Sequence, residues 1–304
     1  MGSCFTENIG NKLDYYLFNT TLNPFGILYN PNSIAICLEK LIQNTKFEEK
    51  DLCFSNNLYF SFFHHSRFSA ETKEACLSDI NSSIKSGATA LKGASHLIIT
   101  FGTSWAYKHL EKDCIISNCH KQPSSLFERQ FINSEDIYIH WNELIKNIKK
   151  SNPQLKIIFT ISPIRHIKDG LTQNSLSKAN LITAVHKIIA NNKDTFYFPS
   201  FEIMMDDLRD YRFYDDDFVH PNQLAVDYIW ECFQKTWIDN SSISLFKTID
   251  QFQKAISHRA FFSETPSHQS FLKKTLNKVK VFQKEYPQIS INRIIKILEE
   301  KITT

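Results

Sequence analysis

The sequence predicts an α/β fold in which helices cover both faces of a parallel sheet. Two nearly continuous apolar runs, 96–103 and 156–162, are rich in Ile, Phe and Thr, and 195–199 is a shorter run of the same kind. Such runs are typical of strands buried on both faces. Between them, 134–151 and 176–191 carry apolar residues at intervals of three and four, as amphipathic helices do. Strands that alternate with helices along a chain indicate a parallel sheet.

Further helices are predicted on either side of this alternating region. The patterns favour a helix from about Thr6, one over 70–88 and one over 222–237. Pro221 precedes the last of these at a first helical position, where its missing N–H costs nothing.

The strand patterns stop after residue 240. Helical stretches follow near 242–257, 266–284 and 290–302. We therefore predict an α/β domain over 1–240 and an α-helical C-terminal extension over 241–304. The middle stretch carries five lysines, which we interpret as a solvated face rather than a binding patch. These are Lys273, Lys274, Lys278, Lys280 and Lys284.

Composition limits the class of protein. The 304-residue chain has 42% hydrophobic residues and a formal charge of +3, so we expect a substantial core and no nucleic-acid partner. Its seven scattered Cys, with no C-x-x-C pair and no leader, favour reduced thiols in the cytoplasm. No apolar run reaches the roughly 20 residues that cross a bilayer, so no membrane partner is expected. The sequence does not indicate an oligomeric state.

Two motifs carry candidate catalytic chemistry. GSCF at 2–5 supplies a thiol, and DFVHP at 217–221 supplies an imidazole with a carboxylate three residues before it. A thiol becomes a nucleophile when an imidazole takes its proton, and a carboxylate can orient that imidazole. We therefore predict a triad of Cys4, His220 and Asp217. A helix that starts near Cys4 and a nearby His would both lower the pKa of the thiol.

Each member of this triad has an alternative interpretation. Most free Cys residues are small buried apolar groups, and Cys4 could be one of them. Ser3 is then the reserve nucleophile. His220 could cap a helix or hydrogen-bond polar groups in the core. Asp215 or Asp216 could orient its imidazole in place of Asp217.

A metal site is not predicted, although a set of side chains with metal-binding groups invites one: Asn118, Cys119, His120, His64, His65 and His166. No pair has the spacing of a structural zinc site, so we expect neither metal nor cofactor. We expect Asn118 and His120 to line the pocket instead. The two histidines in FSFFHHSRFS fit a core or pocket wall.

The strand at 156–162 runs out into Arg165 and His166. Ligands bind at the carboxyl ends of such strands. These two side chains could therefore bind an anionic group of the substrate, although ordinary surface pairing would explain them as well.

Six segments carry a resemblance to a known family over at least 1–240. They are MGSCFTENIG at 1–10, NPFGILYNPNSI at 23–34, FGTSWAY at 101–107, NCHKQP at 118–123, SPIRHIKDG at 162–170 and YFPSFEIMMDDLRDYRFYDDDFVHPN at 197–222. On these residues the chain resembles the GSCFA-domain family, which is grouped with the SGNH, or GDSL-like, hydrolases.

The resemblance implies a three-layer α/β/α, flavodoxin-like sheet and an acyl hydrolase acting on small-molecule or carbohydrate esters. Cys4 stands where that superfamily has its serine nucleophile, Asp217 and His220 match its Asp-x-x-His block, and Gly26 matches an oxyanion-hole glycine. Where the superfamily has Gly-x-Asn-Asp, this chain has Ser104 in the asparagine place, with Thr103 beside it. Losing one oxyanion donor costs about 10²–10³ in rate.

The resemblance also predicts a buried strand before the nucleophile turn, whereas only Met1 precedes Gly2. Either an upstream segment supplies that strand or the sheet lacks it, and in the second case Cys4 lies on a mobile terminus. Two further functions stay open. A thioester on Cys4 would also react with other acceptors, which gives an acyltransferase, and a chain that lost turnover would be a binding or assembly protein.

Overall fold

The computed structural model describes residues 1–258 and 264–303, which fold into alternating helices and short strands. In chain order the elements are α1 (Cys4–Tyr15), α2 (Pro31–Ile42), β1 (Cys53–Ser55), β2 (Leu58–Phe60), α3 (Lys73–Gly93), β3 (His96–Phe101), β4 (Trp105–His109), β5 (Cys114–Ile116), β6 (Phe127–Phe131), α4 (Ser134–Ser151), β7 (Lys156–Ile161), α5 (Gly170–Asn191), β8 (Thr195–Phe198), α6 (Ser200–Glu202), α7 (Gln223–Trp237), α8 (Asn240–Ser257), α9 (Pro266–Glu285) and α10 (Asn292–Thr303).

A parallel sheet of order β3-β7-β8 forms the centre of the first unit, which comprises residues 1–8 and 21–229. All three strands were predicted from their apolar runs. Ile99 lies opposite Phe159, which in turn lies opposite Tyr197. Ile99 and Phe159 are fully buried because helices cover the sheet, which explains why the strands read as continuous apolar runs.

Residues 1–3 add a short extended segment beside β3. The backbone N–H of Thr100 donates to the Met1 carbonyl at 3.0 Å, and the Ser3 N–H donates to the Thr100 carbonyl at 3.2 Å. On its other side the segment accepts a bond from the Leu28 N–H at the Gly2 carbonyl, at 3.0 Å. A buried parallel segment therefore does precede Cys4, and Cys4 does not lie on a loose end.

Capping and helix-terminating residues explain the ends of the helices that cover the sheet, as α4 illustrates. Asn133 caps the N-terminus of α4, because its side chain accepts the Asp136 N–H at 2.9 Å. The helix ends at Ser151, shortly before Pro153. Its buried face contributes about 1.5–3 kcal/mol for each large apolar side chain. That face consists of Ile137, Trp141, Leu144, Ile145 and Ile148. No helix in the described ranges is both long and apolar enough to cross a membrane.

A second sheet and a hairpin were not predicted from sequence. Strands β4, β5 and β6 form an antiparallel sheet of order β5-β4-β6, and β1 pairs with β2. These strands are only three to five residues long and most of their residues are half-buried, so their sequences show neither an apolar run nor a clear alternation.

The second unit comprises residues 9–20 and 230–304 and is helical in its described part. The predicted helices of the tail are confirmed as α8, α9 and α10. Tyr15 in the N-terminal part donates to Asp250 of α8 at 2.8 Å. Apolar side chains of the three tail helices form a common core, and the five lysines of α9 are all exposed. The HRAF sequence at 258–261, which adds to the family resemblance, lies largely outside the described residues.

His64 is a fully buried histidine in the first unit, as expected for a core residue. Its ring stacks on Phe25 at 4.5 Å between centroids and meets Phe47 edge-on at 4.9 Å. Neither ring nitrogen has a hydrogen-bond partner among the described residues. Burial, with smaller contributions from the charges of His120 and Lys40, lowers the pKa of His64 to about 3. The ring is therefore neutral in the folded protein.

We expect His64→Leu to make the protein less sensitive to acid. The folded pKa lies below the ordinary value of 6.5, so the unfolded chain takes up the proton first as the pH falls. The stability that the neutral ring contributes is thus present above about pH 6.5 and is lost as the pH falls toward 3. At pH 5 the loss is about 2 kcal/mol. Urea unfolding at pH 7.5 and pH 5 measures it.

His186→Leu is the matched control, because it makes the same substitution at an exposed histidine outside the core. The same loss of stability between the two pH values in wild type and His64→Leu would contradict this interpretation.

Candidate active site

Gly2 determines where the thiol of Cys4 lies. Its φ is 141°, and a Cβ on it would be 2.2 Å from the Thr100 carbonyl oxygen, so only glycine fits against β3 here. The Gly2 N–H donates to the Asn23 side chain at 3.0 Å, and Asn23 is itself fully buried. The chain then turns directly into α1, whose first residue is Cys4.

The turn at Asn23 is fixed by charged side chains as well. Arg67 donates to the Asn23 carbonyl at 2.6 Å and forms an ion pair with Glu7 of α1 at 3.0 Å. The Asn23 amide also donates to Glu7, at 3.4 Å. Asn23, Glu7 and Arg67 thus join three segments of the chain around the side chain that accepts the Gly2 N–H.

The thiol of Cys4 is half-buried at the N-terminus of α1. Burial raises its pKa, while hydrogen bonds from the Cys4 and Phe5 N–H groups and the charge of Lys178 act in the opposite direction. The negative charge of Glu7 adds to the increase. We expected a lowered pKa from the helix terminus, and that contribution is present, but burial outweighs it. At neutral pH most of the resting thiol is protonated, so its activation needs a base.

Asp217 and His220 form a hydrogen-bonded pair. The His220 Nδ1 lies 2.6 Å from the Asp217 Oδ2, and because a carboxylate can only accept, Nδ1 carries the proton. The other Asp217 oxygen accepts the backbone N–H groups of Val219 and His220 at 2.8 and 2.9 Å. The bonds from the His220 N–H and ring, followed by that from Val219, lower the pKa of Asp217 to about 2. The Nε2 of His220 is left free of this pair.

Arg165 joins this pair to the carboxyl end of β7. Its N–H donates to the Val219 carbonyl at 3.3 Å, and its guanidinium donates to the Phe218 carbonyl at 3.4 Å. The same guanidinium lies 4.3 Å from the ring centre of Tyr214. Arg165 therefore positions the segment that carries His220, and the structure shows no carboxylate paired with it among the described residues.

His166 lies at the carboxyl edge of the parallel sheet. A Cβ on Gly102 would be 3.3 Å from the His166 Nε2 and 3.4 Å from the Ser3 Cβ, so these groups meet where β3 ends. Burial, followed by the charges of Lys178, His220 and Arg129, lowers the pKa of His166 to about 4. His166 is thus a neutral imidazole close to the nucleophile turn. Among the described residues no hydrogen bond joins Cys4 to either histidine.

The predicted oxyanion donors are engaged within the protein. The Gly26 N–H donates to the Asn23 carbonyl at 2.7 Å, and the Thr103 N–H donates to the Tyr29 carbonyl at 3.0 Å. The Ser104 hydroxyl donates to the Ser177 carbonyl at 3.0 Å. The backbone N–H groups of Cys4 and Phe5 bond the Cys4 sulfur rather than a carbonyl of the described chain, so these two donors lie at the candidate nucleophile.

Asn118 and His120 contact the hairpin region rather than the nucleophile turn. The Asn118 side chain accepts the His120 N–H at 2.8 Å, and the His120 Nε2 lies 3.0 Å from the carbonyls of Ser61 and His64. The His120 ring stacks on Phe60 at 4.3 Å. These contacts stabilise the chain around β2 and β5. Within the described residues, no group of three His, Cys, Asp or Glu side chains is arranged to hold a metal ion.

The sequence analysis did not select Lys178 as a site residue, although the pattern around it is unusual. It lies on the buried stripe of α5 with Leu181, Val185 and Ile188, and a lysine in such a stripe is unusual. Its side chain is 1% exposed, and its ammonium donates to the carbonyls of Gly102 and Ser162 at 2.8 and 2.6 Å. The charged end thus reaches the carboxyl ends of β3 and β7.

The class of this protein is an α/β fold whose parallel sheet carries, at its carboxyl edge, the half-buried thiol of Cys4 and the neutral imidazole of His166. The family model described as GSCFA family matches residues 1–233, and the model described as GSCFA domain protein, C-terminal domain, matches residues 249–304. The chain therefore belongs to the GSCFA family, as the six sequence segments indicated. No curated protein and no solved structure was found to match it.

We expect Gly2→Ala to disrupt the nucleophile turn. The added methyl group would meet the Thr100 carbonyl at 2.2 Å, at a φ that L residues rarely adopt. Together these should lower the free energy of unfolding by about 3 kcal/mol or more, as measured by urea denaturation.

Gly93→Ala is the matched control. Gly93 is the last residue of α3, and no atom lies within 4 Å of the methyl group that alanine would add. The free energy of unfolding of this variant should therefore differ from that of wild type by less than about 1 kcal/mol. Equal stability of Gly2→Ala and wild type would show that the turn does not need glycine.

Proposed function

We propose that this protein is an SGNH-type acyl hydrolase that uses Cys4, His220 and Asp217 on ester substrates. The observation that carries the proposal is that the thiol and the Asp217–His220 pair are both attached to the carboxyl edge of one parallel sheet. Cys4 follows the segment paired with β3, and the pair is bonded through Arg165 to the loop after β7. Ligands of open α/β sheets bind at this edge.

The order of the parallel segments supports the assignment to the SGNH superfamily. The segment at 1–3 accepts a bond from Leu28 on one side and pairs with β3 on the other, and β7 and β8 follow. This gives the order 2-1-3-4-5 if Leu28 is taken to mark the second position, which is the flavodoxin-like order. The nucleophile then follows the first position, as the resemblance implies.

In the proposed first step the proton of the Cys4 thiol passes to the Nε2 of His220. The sulfur bonds to the ester carbonyl carbon, and the electron pair of the carbonyl moves onto its oxygen. Collapse of this intermediate breaks the ester C–O bond, and the alcohol leaves with the proton from His220. The N–H groups of Cys4 and Phe5, which lie at the sulfur, are the donors that we assign to the oxyanion in place of the Gly26 N–H and the Ser104 hydroxyl.

In the second step His220 takes a proton from water, which attacks the thioester carbonyl. The C–S bond breaks, the acid is released and the thiol regains its proton. An alcohol or amine acceptor would follow the same course, which makes the protein an acyltransferase. The substrate class rests on the family resemblance, with carbohydrate O-acyl groups as the first choice.

The resting structure contains the Asp217–His220 hydrogen bond of the proposed triad but not the bond between Cys4 and His220. Cys4 and His220 make no hydrogen bond within the described residues, and the pKa of the thiol is raised by burial. Catalytic hydrogen bonds are often long before substrate binds and shorten in the complex. The same two observations favour the second candidate function, a binding protein without turnover.

Acyl trapping separates the two functions. We expect incubation with p-nitrophenyl acetate to add one acetyl group to Cys4, detected by intact mass and located by peptide mapping. Cys4→Ala should lose the adduct. His220→Ala should slow its formation by about a hundredfold or more, which is the usual contribution of a general base.

Cys119→Ala is the control, because Cys119 is another half-buried cysteine, on the segment that carries Asn118 and His120, and the adduct should persist in it. An acetyl group that survives Cys4→Ala would refute the assignment of the nucleophile. A wild-type protein that gains no adduct would favour the binding protein.

A further inference from the structure

Lys178 is a buried cation without a carboxylate partner among the described residues. Lysines are rarely buried completely unless they are paired, because the charged form loses its hydration. Two backbone carbonyls hold the ammonium, those of Gly102 and Ser162, and its side chain also lies over the ring of Phe201 at 5.6 Å. An ammonium has three N–H donors. The described residues provide no acceptor for the third.

The ammonium of Lys178 lies close to the nucleophile turn. Gly102 lies against Ser3, the residue before Cys4, and the Lys178 ammonium bonds the Gly102 carbonyl. The charges that act on the thiol are those of Glu7 of α1 and Lys178 of α5, and the thiol in turn acts on Tyr29 of the loop before α2. Lys178 is the one cation among these three.

We propose that the Lys178 ammonium stabilises the Cys4 thiolate, so that the two side chains share one proton and form an ion pair when the nucleophile is activated. The step is balanced in protons. The thiol gives its proton to His220 or to a neutral Lys178, and the negative sulfur is left beside the ammonium. In this proposal Lys178 acts directly on the reacting sulfur and does not contact the substrate. The proposal rests on the proposed function only in taking Cys4 as the nucleophile.

The pKa shifts agree with a coupled pair. Burial lowers the pKa of Lys178 to about 7, and the charge of Cys4 acts to raise it again. Lys178 in turn acts to lower the pKa of Cys4. In such a pair the first proton leaves at a pKa that belongs to both groups. Part of the thiolate should therefore form near neutral pH, with the remainder at higher pH.

The rate of iodoacetamide labelling at Cys4, followed by peptide mass spectrometry from pH 6 to 10.5, tests this inference without any substrate. In wild type we expect two steps, the first beginning near pH 7. Lys178→Met and Lys178→Gln should lose the first step, which makes labelling at pH 8 about tenfold slower for each unit by which the thiol pKa rises. The rates should converge at the highest pH, whereas a change of accessibility alone would also alter that limit.

Two features keep the test decisive. Lys178→Gln retains an amide that can donate to both carbonyls, so it should fold even if Lys178→Met does not. Lys187→Met on the same helix is the control, because Lys187 is exposed and pairs with Glu135, and it should label as wild type does. A folded Lys178→Gln protein that keeps the two-step profile would overturn the inference.

A second measurement does not depend on replacing the lysine. In protein labelled with ¹³C at the lysine Cε, the Lys178 signal of wild type should keep part of its ammonium character above pH 8, because the thiolate favours the charged form. In Cys4→Ala it should titrate in one step. The same single step in both proteins would overturn the inference. Failure of acyl trapping with the two-step labelling intact would instead refute only the esterase proposal.

Discussion

The pairing of residues 1–3 with β3 is the constraint on which the candidate site depends. Each backbone hydrogen bond contributes only about 0.5–1.5 kcal/mol. Together, however, the bonds at Met1, Ser3 and Leu28 leave the chain no freedom before it enters α1. The close approach requires glycine at position 2, and the buried Asn23 satisfies the one N–H of this turn that faces away from β3. The position of the thiol thus follows from backbone geometry.

Burial sets the electrostatic character of the same region. It raises the pKa of Cys4 and lowers the pKa values of Lys178 and His166, so each group shifts toward its neutral form. A buried charge is costly unless it is paired or hydrogen-bonded. The resting site reduces this cost by keeping its groups near neutrality, and charge separation becomes favourable only when a thiolate and a cation form next to each other.

The sequence predicted the elements whose patterns are long and regular. The three parallel strands were predicted because their apolar runs are almost uninterrupted by polar residues. Helix α4 was predicted because its apolar residues recur at helical spacing over several turns. The pairing of residues 1–3 could not be predicted, since three residues carry no periodicity. The hydrogen bond of the Ser104 hydroxyl could not be predicted either, because its partner Ser177 lies on a helix more than seventy residues away. The Asp217–His220 pair was predicted because both partners lie within one turn of chain.

The two halves of the candidate triad are held in different ways. Cys4 follows a buried ladder and is fixed to the sheet, whereas the side chains of Asp217 and His220 are 50% and 47% exposed. The segment that carries them is joined to the sheet edge by Arg165, through long bonds of 3.3 and 3.4 Å and through the face of Tyr214. Long bonds at an exposed surface are weaker constraints than a buried ladder. The segment that carries the imidazole is therefore held less firmly than the segment that carries the thiol, so the distance between the two groups is more readily changed from the imidazole side.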